Sequence, residues 1–88
     1  MIIFTKYHGP SNIRGSRISA HAPGWDLPRV YISYPHEKSG VECHAEAVRE
    51  LMRKNNLPDV HYRVESIPGG YVFTPEAGFV LLIRKSEG

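Results

Sequence analysis

Cysteine is almost absent: Cys43 is the one thiol in the chain. No internal disulfide can form, so packing has to hold the fold, as is usual in a reducing compartment, and the cytoplasm is the expected location. Long apolar runs are also missing. The longest, residues 79–83, falls far short of the roughly 20 residues that cross a bilayer, so no membrane association is expected. The apolar start Met1-Ile2-Ile3-Phe4 lacks the basic lead-in, extended apolar region and small-residue cleavage site of a secretory signal, and reads as a first strand. No repeat, low-complexity tract or linker breaks the 88 residues. One domain, residues 1–88, is the expectation.

Acids are missing where cations gather. From Thr5 to Ile18 the chain carries Lys6, Arg14 and Arg17, with Tyr7, around the turn formers Gly9-Pro10-Ser11-Asn12, and has no Asp or Glu. The formal charge is +2 for the whole chain but +3 over residues 1–40 and −1 over residues 41–88. That asymmetry favours an anionic partner for the first part of the molecule.

Periodicity supplies the architecture. Residues 2–7 are β-branched, aromatic or threonine apart from Lys6; residues 16–22 alternate Ile18, Ala20 and Ala22 with Arg17, Ser19 and His21; residues 29–34 alternate Val30, Ile32 and Tyr34 with Arg29, Tyr31 and Ser33. These are three strands. The period then changes. Ser39 followed by Glu42 has the form of a capping box, and Val41, Ala45, Val48 and Met52 share one helical stripe, edged by Ala47 and Leu51, opposite Glu42, Glu46, Arg49, Glu50 and Arg53. Asn55-Asn56 and Pro58 stop that helix. Val60, Tyr62 and Val64 alternate with polar residues, Pro68-Gly69-Gly70 turns the chain into residues 71–74, and the apolar run at 79–84 reads as a strand covered on both faces. The fold class is therefore α+β: a small, mostly antiparallel sheet in βββ-α-ββ(β) order, packed on one amphipathic helix.

If Ile18 and Val30 face the core, Arg17, Ser19 and His21 share an outer face with Tyr31 and Ser33, and Thr5 or Tyr7 is placed to join them. Interleaved cations and aromatics on a sheet can pair with phosphates and stack on bases, as single-stranded nucleic-acid binders do. Lys6, Tyr7, Asn12, Arg14, Arg17 and Tyr31 are the candidate nucleic-acid-binding residues. A second candidate anion site is the helix entrance, with His36, Lys38, Ser39 and Gly40 around free backbone N–H groups. Metal is not expected. Cys43 and His44 diverge on the helix, and no His or Cys pair has zinc-site spacing. His44 falls in the apolar stripe and is read as a core histidine bonded to a neighbouring strand or to Tyr34. Cofactors and catalysis have no motif, so a non-enzymatic protein is expected. Trp25, in a Pro-Gly-Trp-Asp-Leu-Pro loop, is expected to fold back over the sheet edge, with an exposed anchor for a protein partner as the alternative.

Thr5, Lys6, Tyr7, Gly9, Pro10, Asn12, Arg14, Gly15, Ser16, Arg17 and Ile18 carry a resemblance. The chain resembles a family of short uncharacterised proteins of bacteriophages and prophage-bearing bacteria, whose N-terminus runs close to Thr-Lys-Tyr-x-Gly-Pro-Thr-Asn-x-Arg-Gly-Ser-Arg-Ile. Ser11 stands where threonine is usual. The similarity continues more loosely through Tyr34, His36, Ser39, Gly40, His44 and Leu51. It implies a phage accessory or host-interaction role, in the cytoplasm of a host cell, and brings no known activity with it. The leading expectation is a small phage-type protein that binds an anionic partner, most plausibly nucleic acid. The alternative is a protein-interaction module, such as an inhibitor of a host or defence protein. A homodimer formed by edge pairing is compatible with either.

Overall fold

The computed structural model describes residues 1–11, 15–38, 40–57, 60–75 and 81–83. Strands β1 (Ile3–His8), β2 (Arg17–His21) and β3 (Val30–Ser33) precede helix α1 (Val41–Lys54). Strands β4 (Val60–Ile67), β5 (Gly70–Pro75) and β6 (Leu81–Ile83) follow it. All pair antiparallel in one sheet of order β3-β2-β1-β5-β4-β6. The α+β class and the element order agree with the sequence. The expectation that residues 79–84 are covered on both faces falls on side chains outside the described part.

The sheet joins a meander, β1-β2-β3, to a β4-β5 hairpin that β6 extends on the β4 edge. β1, β2 and β3 follow one another, as do β4 and β5, and β1 pairs with β5 between them. α1 carries the chain from one edge strand back over the sheet to β4, against β1, β2, β3 and β5. The core lies in that layer: Ile3, Ile18, Ala20, Val30 and Phe73 of the sheet meet Ala45, Val48, Leu51 and Met52 of the helix. Two turns show why the sequence bends where it does. Pro68-Gly69 links β4 to β5 with Gly69 at φ 80, a conformation open to glycine. The helix stops in a Schellman motif, with Asn56 at φ 53, Asn56 N–H bonded to Arg53 O and Leu57 N–H to Met52 O.

The other helix end differs from expectation. The N-cap is Gly40, at φ 58, and no side chain caps it. Gly40 takes the N-cap position with a positive φ, and the Ser39 of the expected Ser39–Glu42 capping box lies outside the described residues. Arg49, assigned to the water face by its charge, is buried. Its guanidinium donates to Glu46 at 2.6 Å, so the stem packs against the helix surround while the charge is met locally.

Candidate nucleic-acid interface

One face of the sheet carries the helix, and the strand register fixes what the other presents. Tyr7 pairs with Ile18 and Thr5 with Ala20, while Lys6 pairs with Ser19 and Phe4 with His21. Because side chains alternate along a strand, Phe4, Lys6 and His8 stand with Arg17, Ser19 and His21 on the open face. Ser19 pairs with Tyr31 and Arg17 with Ser33, which adds β3, and one further step of that register brings in Arg29. Arg17, Ser19, His21, Tyr31 and Ser33 thus share a face as expected. Thr5 and Tyr7 do not join them. Thr5 is buried beneath the helix, and Tyr7 belongs to the helix side, where its hydroxyl meets Ser16 Oγ at 3.0 Å and its ring lies edge-on to Tyr34 at 5.7 Å.

The open face is cationic and aromatic. Arg17 lies over the Tyr31 ring at 4.8 Å, and its Nε is buried without a hydrogen-bond partner. Lys6 and Arg29 are exposed, and neither has a carboxylate partner among the described residues. Glu65, on β4, lies on the same face in the row of Phe4, two strands away, and is 3.7 Å from Arg63. Phe4 and Tyr31 are 39% and 47% exposed. His8 gives an internal gauge of the field: its Nε2 is 2.9 Å from Ser19 Oγ, its ring is 5.5 Å from that of Tyr31. Its pKa is lowered first by burial and then by Arg17, Lys6 and Arg29. Three cations therefore act on one point.

Between them the surface dips. Ser19 is buried and short. The result is a cavity of about 170 Å³ walled by Phe4, Lys6, His21, Arg29 and Pro68.

Asn12 and Arg14 lie outside the described residues. At the second candidate site, Lys38 is engaged by Glu46 at 3.5 Å, and the Cys43 N–H bonds back to Gly40 O. His36 packs against Tyr34, with ring centroids 5.2 Å apart. Ser39, the remaining member of that site with Gly40, lies outside the described residues. Cys43 is fully buried, with its thiol 3.7 Å from Pro35 O. Among the described residues no group of three His, Cys, Asp or Glu is arranged to hold a metal, and no helix is long and apolar enough to cross a membrane. Trp25, expected to fold back over the sheet edge, is 54% exposed.

His44 is a core histidine bonded to a strand. Its Nδ1 is 2.7 Å from Thr5 Oγ1, and Thr5 donates its hydroxyl proton to Tyr71 O at 3.3 Å, which leaves the Nδ1–H to donate to Thr5. Burial lowers the His44 pKa. His8 and His44 therefore remain neutral in the folded chain at pH values where the unfolded chain, with histidines near 6.5, takes up protons. Stability from this source is fully present above about pH 6.5 and is lost as pH falls toward the lowered folded values. The urea midpoint is expected to be level from pH 8 to about 7 and to decline from about 6.5 to 5.5. A midpoint that stays level or rises over that interval would show that neither imidazole is kept neutral by the fold.

Sequence reasoning missed Phe4, His8 and Arg29. The phase of β1 was available, since Lys6 must face water and Phe4 and His8 are two residues away on either side. No protein-family model, curated protein or solved structure matches the chain. The functional reading therefore rests on the geometry of this face.

Proposed function

We propose that the chain is a small non-enzymatic, phage-type accessory protein whose open sheet face binds single-stranded nucleic acid. The observation that carries this reading is the convergence of Lys6, Arg17 and Arg29 with exposed Phe4 and Tyr31 on the face the helix leaves uncovered. The cations meet phosphates, while the rings offer surfaces to unpaired bases. A duplex keeps its bases stacked inside and gains only the charge term. Asn12 and Arg14 belong to the connection between β1 and β2 and remain candidate contributors. Tyr7, on the helix side, is not part of the stacking surface.

Anisotropy titrations of a labelled single-stranded oligonucleotide and its duplex test this. With three phosphate contacts the single-strand affinity should fall about 20-fold between about 50 and 200 mM salt. Lys6→Ala and Arg17→Ala should each weaken binding and flatten that salt dependence. Absence of binding at low salt, or unchanged affinity in both variants, would reject the reading.

A second reading is favoured by Trp25, whose exposure in the loop between β2 and β3 suits an anchor for a protein partner. Co-purification after nuclease treatment separates the two. A stoichiometric protein retained without nucleic acid supports the second reading, and loss of all retained material supports the first.

A further inference from the structure

The cavity over Ser19 is more specific than a charged surface requires. Its floor is the Ser19 position in β2, low because serine is short. Its walls are of two kinds. Lys6, Arg29 and His21 supply donors, while the Phe4 ring and Pro68 supply apolar surface, and no carboxylate lines it. The volume of about 170 Å³ is several times the roughly 30 Å³ share of one water, more than a bare oxyanion fills. It is also below the roughly 300–1,000 Å³ of sites that enclose larger ligands. Tyr31, the other exposed ring on this face, is two strands and two residues away from Phe4. That is about 12 Å by strand spacing and rise, against about 3.4 Å between stacked bases. The two rings therefore cannot take consecutive stacked bases, and Phe4 serves a base of its own.

We infer that this depression seats one nucleotide of the bound strand, its base against Phe4 and its phosphate between Lys6 and Arg29. The inference rests on the proposed single-strand binding and adds to it the place where a base is held. Arg17 and Tyr31 lie outside the seat and hold the strand beyond it.

The test is a titration of the protein with adenosine 5′-monophosphate and, separately, with inorganic phosphate, read from backbone amide chemical shifts. The nucleotide should move the amides of Phe4, Lys6, Ser19 and His21 most and bind about tenfold more tightly than phosphate, the worth of one stacked base. Phe4→Ala should remove that difference. Arg29→Ala, outside the strands, should weaken both ligands severalfold without touching the sheet. Equal affinity for nucleotide and phosphate would overturn the inference, because the site would then be an anion site without a base seat. Shifts concentrated at Arg17 and Tyr31 would overturn it as well. If Phe4→Ala leaves both nucleotide and oligonucleotide affinity intact while Arg17→Ala weakens the oligonucleotide, the seat is wrong and strand binding stands. If the native chain binds no oligonucleotide, both fall.

Discussion

Gly70→Ala is expected to destabilise the fold by about 3 kcal/mol, because the added methyl has no room and its neighbours cannot move aside. A Cβ there would lie 1.8 Å from Thr5 O, 2.8 Å from Thr5 C and 3.0 Å from Lys6 Cα, all of them backbone. The site of the clash matters as much as its size. Gly70 faces Lys6 at the end of the β1–β5 pairing, which is the seam between the first three strands and the last three. Just beyond it, the Tyr7 N–H bonds to Gly69 O at 2.8 Å. Relief of the clash has to open the seam, and it strains the Ile3–Phe73 and Thr5–Tyr71 pairs that face the helix. For a domain of this size, such a loss corresponds to a fall in Tm of about 12–24 °C. Thermal unfolding followed by circular dichroism measures it, with Gly9→Ala as the control, since nothing lies within 4 Å of a Cβ at Gly9. Equal Tm values for the two variants would mean that the seam is not packed as described.

Most of the fold was legible because each element had one dominant signal. Alternation placed β2 and β3, and the 3.6-residue period placed α1. Asn55-Asn56 marked the helix end, where Asn56 takes the left-handed conformation a Schellman motif needs. At the helix start the N-cap is Gly40, which takes a positive φ at no steric cost; no local signal singled it out from the neighbouring Ser39. Arg49 misled on burial. Charge was read as exposure, but a long side chain can lie along the core boundary when a carboxylate one turn away meets its head.

The candidate site was half legible. Arg17, Ser19, His21, Tyr31 and Ser33 fell on one face because their strands alternate cleanly, and the structure places them there. β1 does not alternate cleanly. Thr5 and Tyr7 are amphipathic and sit in the same phase as Ile3, and what draws Thr5 inward is a buried bond to His44, a contact between residues far apart in sequence. The seam with β5 was likewise invisible, since no local signal says that β1 takes a second partner. Strand order was therefore needed before the cavity walled by Phe4, Lys6 and Arg29 could be found.

That shared face is the central claim, and charge reversal on opposite sides of the molecule tests it most directly. Lys6→Glu with Arg29→Glu alters the open face. Arg53→Glu with Lys54→Glu makes the same change in net charge at the exposed end of the helix. If the strand lies on the open face, the first pair converts two phosphate contacts into repulsions, and affinity for a single-stranded oligonucleotide should fall about 100-fold or more. The second pair lies on the other side, where screening over about 8–10 Å leaves little effect, and should change affinity by less than about threefold. Comparable losses in both double variants would contradict the assignment, because binding would then follow net charge and not the face that carries Lys6, Arg17 and Arg29.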